Sequence, residues 1–142
     1  MPARKSTIEL AHVAARAAVE KIATDLVAID LSDQMVLSEM FLIISGQNER
    51  NIEAIADEVE RKLAERGEKP ARSEKSEQWI LLDYSDLVVH IQTQEVRQYY
   101  MLDRLWNDCP TISLDIDVKR YLNAKTANRN LATRPNRLEY RE

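Results

Sequence analysis

The sequence predicts an α/β fold, a small mixed β-sheet flanked by helices, followed by a basic C-terminal extension. Three observations lead there. Trp79-Ile-Leu-Leu-Asp83 and Leu87-Val-Val-His90-Ile-Gln92 are rich in β-branched, aromatic and aliphatic residues, and Ser85 and Asp86 between them supply turn chemistry, so the pair reads as a β-hairpin. Met40-Phe-Leu-Ile-Ile-Ser45 is continuously apolar and bounded by Gly46, as a central strand buried on both faces would be. Between these strands Ile52, Ile55, Ala56, Val59 and Leu63 recur at intervals of three and four, the spacing of a helix. A strand, a helical crossing and a further strand imply a parallel pair, while the tight turn implies an antiparallel one. The sheet is therefore expected to be mixed.

Taken in order, Ser6-Thr-Ile-Glu9 matches a capping box and predicts a helix start. Ile8, Ala11, Ala15, Ala18, Val19 and Ile22 continue an apolar stripe whose alanines would let the helix approach a sheet closely, ending near Thr24 or Asp25. A first strand follows over 26–31. After the central strand, Asn48 is placed to cap the second helix, with Asp57 and Arg61, and Glu58 and Lys62, paired four apart on its outer face. Gly67 fits the position just past its end, and Pro70 prevents continuation. Residues 69–78 are polar and read as a loop, or a loop with a short edge strand.

In the hairpin, Trp79 and Leu81 point one way and Ile80 and Leu82 the other, so this strand is expected to be covered on both faces. Val88, His90 and Gln92 give the second strand a half-polar face beside Trp79, Asp83 and Tyr84, the place where recognition is expected. Thr93 can cap a third helix through Val96, Tyr99, Tyr100, Leu102, Leu105 and Trp106, which Pro110 stops. The predicted division is residues 1–110 as the α/β domain and 111–142 as the extension.

A chain of 142 residues with 44% hydrophobic content can fill one core. The single Cys109 cannot close an intrachain disulfide, and no charged segment followed by an apolar one opens the sequence, which together point to a cytoplasmic protein. The longest apolar run, at residues 40–44, is far short of the roughly 20 residues a membrane span needs, so no membrane association is expected. The net charge of −4 conceals an asymmetry: the chain from Lys119 onward carries seven basic residues against two acidic ones. An acidic body is steered towards basic partners, and a basic tail does the opposite.

The chemistry-bearing residues form no recognisable constellation. His12, His90 and Cys109 lack metal-ligand spacing, Cys109 has no evident activating base, and two glycines are too few for a phosphate-binding loop, so neither metal nor cofactor is expected. One enzyme reading is a magnesium-dependent nucleotidyltransferase, in which Asp115 and Asp117 would hold the metal near the Ser45-Gly46 turn. Another is an RNA-binding module led by the basic tail. What remains is a contact surface, with Trp79, Tyr84, Tyr99, Tyr100 and Trp106 gathered around the hairpin and the helix after it, and Glu74, Glu77, Asp83 and Asp86 as an acidic rim.

Three motifs in this order, Ser45-Gly46-Gln-Asn-Glu-Arg-Asn-Ile-Glu-Ala-Ile-Ala-Asp-Glu58, then the hairpin from Trp79 to His90, then Glu95-Val-Arg97-Gln-Tyr-Tyr100-Met-Leu102-Asp-Arg-Leu105-Trp106, resemble the ribosomal silencing factor family, also called Iojap-related, across roughly residues 8 to 107. The resemblance implies a nucleotidyltransferase-like fold without catalysis. It implies binding to the large ribosomal subunit through a ribosomal protein on the intersubunit side, which blocks joining of the small subunit and lowers translation when nutrients are short. It also implies a homodimer in the free state. The matched positions Trp79, Asp83 and Tyr84, with the adjoining Glu77, are assigned to the partner surface. His90, Arg97 and Tyr100 are matched too, as partner residues or as supports holding the last helix against the sheet. The tail after Cys109 departs from the shorter family pattern, which leaves open a ribosomal RNA contact, a part in dimerisation, or neither.

Overall fold

The computed structural model describes residues 3–33, 38–100 and 109–112. Its elements are α1 (Lys5–Glu20), β1 (Asp25–Asp30), β2 (Met40–Gly46), α2 (Glu49–Glu65), β3 (Arg72–Lys75), β4 (Trp79–Asp83), β5 (Leu87–Thr93) and α3 (Gln94–Tyr100). The five strands lie in the order β1-β2-β5-β4-β3. Only β2 and β5 run parallel, joined by the crossover through α2, and every other neighbouring pair is antiparallel. The expected mixed sheet is present. The polar stretch after Pro70 supplies the short edge strand β3.

Local chemistry sets most boundaries. The Asn48 side chain accepts a hydrogen bond from the Asn51 amide at 2.8 Å and so caps α2. At the other end Gly67 has φ of 80°, its amide donates to Ala64 O, and the Glu68 amide donates to Leu63 O, which together close the helix as a Schellman motif. Thr93 Oγ1 accepts from the Val96 amide at 3.4 Å, opening α3 where the sequence expected it. The continuation of that helix to Leu105 and Trp106 lies outside the described residues. Gly46 has a different task. A Cβ there would stand 2.6 Å from Ile52 Cγ2 and 2.9 Å from Asn51 Oδ1, so the bare backbone is what lets β2 run against the first turn of α2.

Three expectations about the helices change. The capping box at Ser6 is not formed. Helix α1 begins at Lys5 with Arg4 as its N-cap, and no side chain of its own caps it. Glu39, from the segment entering β2, takes that place: its carboxylate accepts from the Arg4 amide at 2.9 Å and from the Thr7 hydroxyl. The carboxylate answers the N-cap amide, and its charge lies beside the positive end of the helix. The helix also stops at Glu20, ahead of Thr24, because Ile22 turns to φ of 63°. On α2, Arg61 reaches Glu58 at 2.8 Å and Glu65 at 3.1 Å in place of the expected Asp57.

The core is built in two layers. On one sheet face, Leu26, Leu42, Ile44, Ile80, Leu82 and Val89 pack under α1 and α2. The alanines of α1 are buried as expected, but the principal neighbour they bring close is α2, with the sheet beneath both. On the opposite face Val27, Ile29, Leu31 and Ile43 form a smaller cluster with Cys109, flanked by Phe41. Residues 109–112 run along the outer edge of β1: the Asp30 amide donates to Pro110 O at 2.8 Å, the Ile112 amide to Ala28 O at 2.9 Å, and Thr111 bridges Ile29.

Candidate partner-binding surface

Strand β4 alternates, and the two sides of the alternation meet different surroundings. Ile80 and Leu82 are fully buried under the helices, whereas Trp79, Leu81 and Asp83 are half-buried on the other side. The expectation that both faces are covered is thus corrected. Helices α1 and α2 occupy the same side of the sheet, and the described part of α3 packs on β5 and β2, leaving β4 partly open.

The neighbouring strand reverses a second expectation. As the sheet's middle strand, β5 is buried along its whole length, including its polar residues: His90 is 5% exposed and Gln92 not at all. The half-polar face expected to meet a partner is therefore interior, and the exposed surface lies one strand outward. His90 is linked to it by Trp79, whose indole Nε1 donates to His90 Nδ1 at 3.3 Å, while Phe41 meets the imidazole edge-on with ring centroids 4.7 Å apart. An indole N–H can only donate, so Nδ1 carries the lone pair and the neutral ring bears its proton on Nε2. Burial pushes the His90 pKa down to about 4, with the Asp83 carboxylate opposing the shift. His90 is accordingly a neutral ring that orients Trp79.

Tyr84 stands apart from this group. It follows Ile80 and Leu82 onto the helical side, is 7% exposed, and is raised in pKa to about 12 by burial and by the carboxylates of Glu60 and Glu68. Adjacent sequence positions here face opposite sides of the sheet. Asp83 anchors the hairpin turn, accepting from the Ser85 amide at 2.8 Å, with Ser85 at φ of 73° and the Tyr84 amide bonded to Leu87 O. Glu77 is exposed in the turn between β3 and β4.

Arg97 is buried beneath α3. It donates to Ser45 Oγ at 2.7 Å and lies 3.3 Å from Asp25 Oδ2, tying α3 to the ends of β2 and β1. This geometry makes Arg97 a support for the helix. The Tyr100 backbone belongs to α3, but its side chain is outside the described residues, as are Trp106 and the Asp115 and Asp117 carboxylates.

Sequence reasoning missed Asn51 and Glu39. Asn51 Nδ2 donates to Lys21 O at 2.8 Å while its Oδ1 accepts from the Gln47 amide at 2.9 Å, fastening the end of α1 to the β2–α2 turn. Glu39 and Asp86 both receive the Arg4 guanidinium, which closes the start of α1 onto the hairpin turn. The contacts that join separate elements, Asn51 to Lys21 and Glu39 to Arg4, span 30 and 35 residues and carry no local signal.

Beside Trp79 and Leu81 the surface forms a groove of about 400 Å³ whose walls are completed by Glu74, Lys75 and Ser76. The partly buried aromatic and aliphatic pair is thus an apolar strip beside the Glu74 carboxylate at the edge of the sheet.

Comparison with known proteins decides the lineage. The sequence model for "Ribosomal silencing factor during starvation" matches residues 4–139. The chain belongs to the ribosomal silencing factor family. It is 37% identical to ribosomal silencing factor RsfS of Halalkalibacterium halodurans over 112 residues, which cover 78% of this chain and 96% of that one. It is 33% identical to RsfS of Bacillus subtilis over 110 residues, 76% of this chain and 93% of the relative. A crystal structure of a protein from Chromobacterium violaceum superposes with a TM-score of 0.68 at 28% identity, covering 82% of this chain and 98% of that one. The silencing-factor fold thus comprises the sheet and helices described above. No described helix of this family member is long and apolar enough to cross a membrane.

Proposed function

We propose that this chain silences ribosomes by occlusion. It docks on the large subunit through a ribosomal protein on the intersubunit side and occupies space the small subunit needs, repressing translation when nutrients are limiting. Bond-making has no part in this, and the chain works in the cytoplasm, as a homodimer when not bound to the ribosome. The observation that carries the reading is the half-open face of β4, where Trp79 and Leu81 stand beside Glu74 with Glu77 in the adjoining turn. An aromatic anchor with the carboxylates of Glu74 and Glu77 close by suits a basic protein surface. Family membership supplies the ribosome as the setting.

Sedimentation of separated ribosomal subunits with the purified chain tests the proposal. Co-migration with large subunits, and fewer joined ribosomes as the chain is added, are the expected results. Equal binding to joined ribosomes, or binding to small subunits alone, would overturn it.

A further inference from the structure

The two edges of the sheet are treated differently. Along β1 the outer edge is occupied by residues 109–112, through the Asp30 to Pro110 and Ile112 to Ala28 hydrogen bonds. At the other end β3 pairs with β4 on one side only, and all four of its residues are exposed. The Ser76 amide donates inward to Trp79 O at 3.0 Å. By antiparallel alternation Ser73 and Lys75 then turn their main-chain amides and carbonyls outward, to an edge that no strand among the described residues covers.

The apolar groove adjoins this edge. Cross-strand partners share a face, so Glu74, opposite Leu81, stands on the side of Trp79 and Leu81, while Lys75, opposite Ile80, stands on the helical side and reaches Glu60 at 3.2 Å. The Arg72 guanidinium lies 3.9 Å from Asp83. Both cations of the strand are thus matched to carboxylates of this chain, whereas Glu74 and the neighbouring Glu77 make no ion pair among the described residues. The edge offers unanswered backbone groups, an apolar slot beside them and negative charge.

We propose that the outer edge of β3 receives an extended, basic segment of the partner protein as an added strand, with one apolar side chain of that segment seated against Trp79 and Leu81. Main-chain pairing supplies the affinity, and the slot and the carboxylates select the segment. The inference rests on the large-subunit docking proposed above and specifies how the contact is made.

The probe is the isolated large ribosomal subunit. Ser73→Pro removes one outward amide at an edge position, where proline leaves the pairing to β4 in place, and Ser73→Ala is its control. Ser73→Pro should bind large subunits at least tenfold more weakly, with Ser73→Ala unchanged. Hydrogen exchange of wild-type peptides spanning residues 72–76, followed with and without large subunits, gives a readout independent of the variant's folding, and exchange there should slow on binding. Wild-type binding with exchange at 72–76 unaltered, or full affinity of a folded Ser73→Pro chain, would overturn strand addition while leaving ribosome docking intact. No binding by the wild-type chain would overturn both.

Discussion

Trp79 Nε1 donates to His90 Nδ1 across the β4–β5 pair, joining a partly exposed indole to a buried, neutral imidazole. The ring that faces solvent is therefore held from beneath, so little of its rotamer freedom remains to be lost when a partner covers it.

Replacing that indole separates contact from support. Trp79→Ala should weaken binding to large ribosomal subunits by more than about 1 kcal/mol, roughly fivefold or more, as loss of an interface anchor does. The affinity is read from co-sedimentation titrations, with unfolding curves to establish that the variant is folded. Unchanged affinity in a folded variant would show that Trp79 acts within the domain only.

The imidazole carries a pH signature. Its pKa falls from 6.5 in the unfolded chain to about 4 in the fold, so below pH 6.5 the unfolded state binds the extra proton. Stability from this group is full above pH 6.5 and declines as pH falls towards 4, by about 3 kcal/mol at the limit. Denaturant unfolding of the wild type at pH 7 and pH 4.5 should show the loss, and His90→Gln should remove most of it. The carboxylates of Asp30 and Glu39 titrate lower. Burial alone would raise both, but hydrogen bonds from Ser32 and Ala3 in the first case, and from Arg4 and Thr7 in the second, hold them below the usual range. Equal pH dependence in wild type and His90→Gln would contradict the assignment.

Arg97 joins two elements that are remote in sequence. Arg97→Ala removes the contact with the Asp25 carboxylate and the bond to Ser45, at a cost of about 3 kcal/mol, the scale of breaking a largely buried pair. Hydrogen exchange over residues 94–100 should accelerate more than exchange over β5. If α3 stays as protected as in the wild type, the guanidinium is not what docks it.

Gly46 is required for space. Gly46→Ala places a methyl group against Ile52 and Asn51, and the overpacking should destabilise the domain by about 1–3 kcal/mol. Thermal unfolding measures it directly, and an unaltered midpoint would mean that the start of α2 can shift at no cost.

Local chemistry is legible in the sequence at particular residues. Asn48, Gly67, Ser85 and Thr93 mark caps and turns through hydrogen bonds reaching at most five residues, and each does in the structure what its type and spacing foretold. The period-two and period-3.6 patterns likewise named the helices and strands. The family motifs were readable as well, since they are runs of adjacent residues.

Tertiary structure decided which of those residues face what. Trp79 and Tyr84 both looked ready for a partner, yet one lies on the half-open side of the sheet and the other beneath the helices. His90 proved interior because Phe41 and Trp79, from the strands on either side, close over its ring, while α3 packs on the same strand. Arg97 found Ser45, 52 positions away, and Glu39 displaced the local capping box at the start of α1. A sequence pattern fixes how side chains alternate about their own strand or helix, but burial depends on which other elements arrive on each side, and that is settled only when the whole chain packs.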